Sequence, residues 1–268
     1  MKKVFIPIFL AIVLIVPAAI SGCYEDGQIS ISVTEEVITE EKDFIDFSEL
    51  DIGSAFEVEI TRSDSYSVVI SAAESLFDYI EVAKSGQKLK IYLNPRHIFT
   101  DFTIGAKPLK AEITMPALRE LELSGASSGT ITGFRSANDL DLLVSGASTL
   151  KIINCTTSDA DFEISGASRV SGNVTAENMR VEVSGASKFE LTGSAEEIDL
   201  EVGGASRADM EDFILQYASV DVSGASEATL TVKGKVDIWL SGASRLYFYG
   251  NPEMGVLDVS GASTIKHK

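Results

Sequence analysis

The chain has 268 residues, 45% of them hydrophobic, and its 40 acidic residues outnumber 22 basic ones to give a formal net charge of -18. That length can bury a substantial core in one or two domains. The charge argues against a nucleic-acid binder, because an acidic surface repels phosphate backbones and anionic lipid headgroups; it suits cations, basic partners or plain solubility.

Residues 1–22 read as a cleaved export signal. Met1-Lys2-Lys3 is a positive start, residues 4–20 are almost wholly apolar, and small residues follow at Ser21 and Gly22. The run Ile20-Ser21-Gly22-Cys23 resembles a lipobox, which implies a diacylglycerol thioether on Cys23 and a membrane anchor at the new N-terminus. An uncleaved anchor helix is the alternative, with an apolar stretch short for a span of about 20 residues. Removing residues 1–22 takes away two lysines and no acids, so 20 bases face 40 acids and the charge becomes -20. Residues 23–43 are polar and acidic and read as a tether. With Cys23 acylated, Cys155 has no partner, and a lone thiol in or near the core is expected.

Residues 44–123 read as a degenerate version of the repeats that begin at residue 124. Asp51-Ile52-Gly53-Ser54-Ala55 looks like a worn corner, and Phe56, Val58 and Ile60 alternate, as do Leu89, Ile91 and Leu93. Residues 73–80 are read as a short helix or cap, and 94–108 as a loop with exposed aromatics.

From residue 124 the tetrapeptide Ser-Gly-Ala-Ser recurs. Its glycines, at 125, 146, 166, 185, 204, 224, 242 and 261, lie 21, 20, 19, 19, 20, 18 and 19 residues apart, with Gly203 replacing the first serine of one copy. Apolar side chains alternate before each copy (Phe162 and Ile164; Ile198, Leu200 and Val202) and after it (Leu150 and Ile152; Phe189 and Leu191). Period two means a strand with one buried face. A unit of about 20 residues with two strands and two bends cannot bury that face alone; stacked in register about 4.8 Å apart, the units form a core. The expected fold is all-β, a parallel β-solenoid with right-handed crossovers by default. Gly turns the corner, Ala points into it, and the serines form hydroxyl ladders. The C-terminus, ending Lys266-His267-Lys268, blunts the last edge with charge.

The early Asp46-Phe47 with Leu50-Asp51-Ile52, then Phe56-Glu57-Val58-Glu59-Ile60, Gly86-Gln87-Lys88-Leu89-Lys90-Ile91, Met115-Pro116-Ala117-Leu118 and the Ser-Gly-Ala-Ser series resemble the family called auto-transporter adhesin, head GIN domain. The resemblance covers residues 44–265. It implies a β-solenoid and adhesion, and it transfers no catalytic residues.

Stacking would turn outward positions into columns. One reads Glu122, Leu143, Glu163, Glu182, Glu201, Asp221, Trp239 and Asp258; its neighbour reads Glu120, Asp141, Asp161, Arg180, Asp199, Ser219, Asp237 and Val256. A third, Ser128, Thr149, Arg169, Lys188, Arg207, Glu227, Arg245 and Thr264, is partly basic. A solvated face is one reading of the carboxylates. The other is a weak, multivalent cation or ligand surface on Glu163, Glu182, Glu201, Asp221, Asp161 and Asp199, because flat strands supply fewer than the six to eight oxygens that tight Ca²⁺ binding needs. A serine nucleophile would need a base, and only His97 and His267 exist for eight copies. The expected function is therefore a non-catalytic, lipid-anchored cell-envelope surface for adhesion or scaffolding, with polysaccharide or a surface protein as partner and no cofactor or dedicated metal. A polysaccharide lyase or glycosidase built on paired acids such as Asp161 and Glu163, and a cation-responsive envelope protein, are the alternatives.

Overall fold

The computed structural model describes residues 36–94, 109–135 and 138–268. They belong to one compact unit, Glu35–Lys268. The export signal, Cys23, most of the tether and the loop from residue 95 to 108 lie outside the described residues.

Strands in the first part are β1 (Val37–Glu41), β2 (Glu49–Ile52), β3 (Phe56–Arg62), β4 (Ser67–Ala73), β5 (Ile80–Ser85), β6 (Lys88–Leu93) and β7 (Leu109–Met115), with a 3-10 helix at Glu74–Tyr79 between β4 and β5. The repeats supply β8 (Glu120–Leu123), β9 (Ser128–Thr132), β10 (Leu140–Val144), β11 (Thr149–Thr156), β12 (Asp159–Ile164), β13 (Arg169–Val183), β14 (Lys188–Val202), β15 (Arg207–Val222) and β16 (Glu227–Leu240). The chain ends in β17 (Arg245–Tyr249), β18 (Glu253–Val259) and β19 (Thr264–His267).

The repeats stack as parallel coils in register. Before the corner, Leu142 pairs with Phe162, Phe162 with Val181, Val181 with Leu200, Leu200 with Val220 and Val220 with Ile238. After it, Leu150 pairs with Val170, Val170 with Phe189, Phe189 with Ala208 and Ala208 with Ala228. All of these side chains are buried, so the inward half of every strand feeds one continuous core. Burying a Leu, Val or Phe is worth about 1.5–3 kcal/mol, and no coil has enough of them to stand alone.

The eight glycines stand in single file. Each from Gly125 to Gly261 has φ between 65 and 77°, the left-handed region. From Gly166 onward, a Cβ on any of them would lie 2.4 to 2.6 Å from the carbonyl oxygen of the glycine one coil below. That carbonyl accepts the N–H of the next coil's alanine, as in Ala186 to Gly166 and Ala205 to Gly185, both 2.8 Å. The worn corner takes the same place, with Ala55 N–H donating to Gly125 O at 2.9 Å.

Four expectations change. The corner alanines face solvent, and the second serine of each tetrapeptide points inward instead. Ser127, Ser148, Ser168, Ser187, Ser206, Ser226 and Ser244 are buried because they are in phase with the apolar residues on the strand after the corner. Their hydroxyls form no continuous ladder: Ser127 donates to Ser124 O at 2.7 Å, Ser244 to Ser263 at 3.1 Å, and the Oγ atoms of Ser148, Ser168 and Ser226 have no partner. Second, a middle coil does not break into two strands. β13 to β16 run 14 to 16 residues through the second bend.

Third, the first coil is not at the end of the stack. The β2–β3 coil lies between β6–β7 on one side and β8–β9 on the other. After β1 the chain passes inside to form β2–β3, loops outward through β4 and β5, and returns through β6 and β7. β4 and β5 run antiparallel to β7 and β6, which a hairpin permits and a coil does not. Fourth, Val37–Glu41 is a strand, antiparallel to β4. Its short Val-Ile-Thr run, lodged in an acidic stretch, pairs through the backbone while half of its side chains stay in solvent.

Candidate functional site

The outward columns keep the predicted register except at Val256, which a shift between Val236 and Ile238 takes out of line with Asp237. Glu122, Leu143, Glu163, Glu182, Glu201, Asp221, Trp239 and Asp258 are successive partners, and so are Glu120, Asp141, Asp161, Arg180, Asp199, Ser219 and Asp237. Glu163, Glu182, Glu201 and Asp221 thus form an uninterrupted exposed row. Like charges about 5 Å apart repel by on the order of 1 kcal/mol per pair even in water. None of the neutralising cations sits on that run: Arg180 interrupts the second row, and the others lie toward the ends of the rows. Lys90 bonds Asp51 and Lys88 bonds Glu120, each at 2.6 Å, while Lys235 meets Asp237 at 3.1 Å.

Asp161 and Asp199 are separated by Arg180, whose Nη1 lies 4.0 Å from Asp161. Together with Asp139, Asp141, Asp159 and Glu197 they line an open recess of about 440 Å³. Asn178 Nδ2 bridges to Asp159 at 2.8 Å. Asp141 meets solvent at its edge, yet loss of hydration against the recess walls pushes its carboxyl above the usual range, and the negative charges of Asp161, Glu120 and Asp139 push the same way. Among the described residues no three His, Cys, Asp or Glu side chains are grouped to hold a metal ion.

The basic column, Arg169, Lys188, Arg207, Glu227 and Arg245, is also in register, but it does not serve the carboxylate rows. It lies beyond the Ser-Gly-Ala-Ser corner and neutralises its own face. Lys188 pairs with Glu190, Arg169 with Glu190 at 3.7 Å, Arg207 with Glu227 at 2.7 Å and with Asp209 at 3.4 Å. Trp239 and the tyrosines Tyr247 and Tyr249 fall on opposite sides of the Ser241–Ser244 corner, and Lys268 covers both tyrosine rings.

A larger groove was not anticipated. It has a volume of about 810 Å³ and opens at the second bend, with Ile152, Gly172 and Leu191 on its floor. Lys151, Asn154, Asn173, Glu190, Thr192, Asp209 and Glu211 offer charged, amide and hydroxyl groups to it. Differences in coil length create it. Register shifts fall between Ile152 and Cys155, between Glu190 and Gly193, and between Met210 and Ile214, while the Ser-Gly-Ala-Ser corners stay aligned. The extra residue at Asn154, with φ 53°, bulges one wall. Gly172 and Gly193 let the coils close up beneath it, since a Cβ on either would stand 2.0 Å or less from a carbonyl oxygen below. Asn173 and Thr192 are tied together, Nδ2 to Oγ1 at 3.2 Å, which orients both at the rim. The signal in the sequence was the unequal glycine spacing, 21 and 20 against 19.

The sequence profile of a family described as "Putative auto-transporter adhesin, head GIN domain" matches residues 46–252. The chain belongs to this family. Several solved structures share the head GIN protein's fold. A protein described as a putative lipid binding protein from Parabacteroides distasonis superposes with a TM-score of 0.74 at 19% identity, covering 88% of this chain and 98% of its own. One described as a putative adhesin from Parabacteroides merdae gives 0.70 at 13% identity, covering 88% and 97%, and another from Bacteroides fragilis gives 0.65 at 19%, covering 88% and 98%. No curated protein matches the chain.

Proposed function

We propose that this head GIN protein is exported, anchored to a membrane through lipid on Cys23, and displays its solenoid as a non-catalytic adhesive surface in the cell envelope. The observation that carries the reading is the polar groove at the second bend. Its open shape and its mix of Asn173, Thr192, Glu190 and Asp209 suit a chain rich in hydroxyl groups, such as a polysaccharide, held by many directional but individually weak bonds. Display of many copies of the chain on one membrane then adds avidity. Family membership supports adhesion as the class of role. Against catalysis stands the same uniformity: Asp161 with Glu163 and Asp199 with Glu201 are equivalent pairs two coils apart, not one acid–base pair in a cleft.

The test is binding of the chain to immobilised polysaccharides, with Asn173→Ala and Glu190→Ala compared with the native protein. Retention weakened about tenfold by the pair, the loss of two directional bonds of roughly 0.7 kcal/mol each, supports the reading; unchanged retention refutes the groove. Release of shortened sugars that is lost in Asp161→Ala or Asp199→Ala would make the protein an enzyme. Cys23→Ser tests the anchor, and its expected result is loss of the chain from the membrane fraction.

A further inference from the structure

The two ends of the solenoid are built differently. At the N-terminal end the outermost strands, β1 and β5, are antiparallel to their neighbours, and the 3-10 helix crosses from one sheet to the other over the core with Leu76 buried beneath it. No comparable cover exists at the C-terminal end among the described residues. β18 pairs only with β16, and β19 only with β17. Met254, Leu257 and Val259 stack under Val236, Ile238 and Leu240, positions 0 to 2% exposed, yet are themselves 41, 53 and 42% exposed. The core column simply runs out into solvent. The charged C-terminus does not blunt it: Lys268 lies over Tyr247 and Tyr249, and His267 stacks on Phe248 while its Nε2 meets Gly250 O at 2.6 Å.

We propose that this end is an interface with a second copy of the chain, joined end to end. Two observations select that occupant. The end presents two open strand edges flanking one apolar strip. A single peptide would satisfy one edge, whereas another solenoid end satisfies both and covers the strip at once. The charges are also self-complementary: β18 carries Glu253 and Asp258, whereas β19 and the residue after it carry Lys266 and Lys268. A two-fold axis that lays β18 of one protomer antiparallel to β19 of its partner sets acid against base twice, whereas β18 on β18 would set acid on acid. A two-fold contact of this kind uses the same face on both copies and closes at two.

A seven-residue strand is about 23 Å long and the sheets are about 10 Å apart, so the end face is roughly 400 Å² per partner once its walls are included. That is about half of a standard interface, which points to a weak, reversible dimer. Since the chain enters at the far end through β1, two anchored copies paired in this way would bridge two surfaces, a consequence that rests on the proposed lipid anchor at Cys23.

Sedimentation velocity of the full chain in detergent, and of residues 35–268 in buffer, from about 1 to 200 µM tests the pairing across the affinity expected. A reversible monomer–dimer shift is expected. Leu257→Lys should weaken it at least about tenfold, since it buries a charge at the contact, while the melting temperature of the monomer stays put because the site is already exposed. Asp258→Lys and Lys266→Glu should each weaken it, and the double variant should restore it. A monomer at every concentration, a dimer indifferent to Leu257→Lys, or a charge swap that fails to restore pairing would overturn the proposal. Clustering of vesicles by the lipidated chain reads the bridging separately: a dimer in solution without clustering would overturn bridging and leave the pairing standing.

Discussion

Replacing Gly185 by Ala should destabilise the solenoid more than the same change at Gly86, and the structure gives the margin. Both glycines have positive φ, 77° and 62°, so an alanine at either meets the left-handed penalty of about 1 kcal/mol. At Gly86 nothing lies within 4 Å of the new Cβ, and the cost stops there. At Gly185 the Cβ would stand 2.4 Å from Gly166 O and 3.0 Å from its N. The coils must part by more than half an ångström, which loosens the 2.8 Å bond from Ala186 N to that same oxygen, a loss of about 1 kcal/mol, with packing losses of similar size beside it. The expected totals are about 3 kcal/mol against about 1 kcal/mol, or roughly 6–12 °C against 2–4 °C in melting temperature for a unit of this size. Urea denaturation followed by far-UV circular dichroism measures both. Equal losses at the two positions would refute the tight coil-to-coil contact at the corner.

The buried serines should differ in sign: Ser127→Ala loses its bond to Ser124 O and about 1 kcal/mol, whereas Ser226→Ala removes an unpartnered hydroxyl and should be neutral or stabilising in the same denaturation assay. Cys155 is buried and its thiol is pushed up to about 11 by loss of hydration, so it should react with a thiol reagent at pH 8 only as fast as the fold opens, and fully in denaturant. For Asp141 the folded-state carboxyl holds its proton more tightly than the unfolded one, so its ionised form weighs against folding above that raised value and stops doing so as pH falls below the ordinary aspartate value of 3.8. Asp141→Asn should accordingly raise the melting temperature at pH 7 and leave it unchanged near pH 3; a gain equal at both pH values would contradict the assigned cause.

Much of this architecture was visible in the residues. Alternation marked the strands, and a constant interval between glycines marked the corners, because both are short-range properties that each coil repeats. The inward serines were visible too: Ser148 is in phase with Leu150 and Ile152, and parity outranks the apparent fitness of alanine for a tight place. What could not be read were relations among coils that differ in sequence. The placement of β2–β3 between β6–β7 and β8–β9 depends on which edges the antiparallel excursion leaves free. The groove depends on where an extra residue is absorbed, and spacing reports only that there is one. The uncovered C-terminal end is a matter of what, among the described residues, does not pack against β18 and β19 in space.

The contrast between the two bends has a physical cause. At the Ser-Gly-Ala-Ser corner each coil rests directly on the one beneath, glycine N–H and carbonyl against glycine backbone, with the alanine N–H bonded down to that carbonyl. One inserted residue there would move the alanine donor out of register and place a Cβ where only hydrogen fits. The second bend has close contacts of its own, as at Gly172 and Gly193, but they fall on different residues from coil to coil and form no glycine-on-glycine file, so length changes are absorbed there: one residue fewer from β11 to β13, and a net two fewer from β15 to β16. Invariance at one bend thus frees the other to vary. A solenoid of this kind can keep a single rigid spine and still present, along the opposite edge, walls and recesses that differ from coil to coil. The groove at Asn154, Asn173 and Glu211 lies along that edge for this reason.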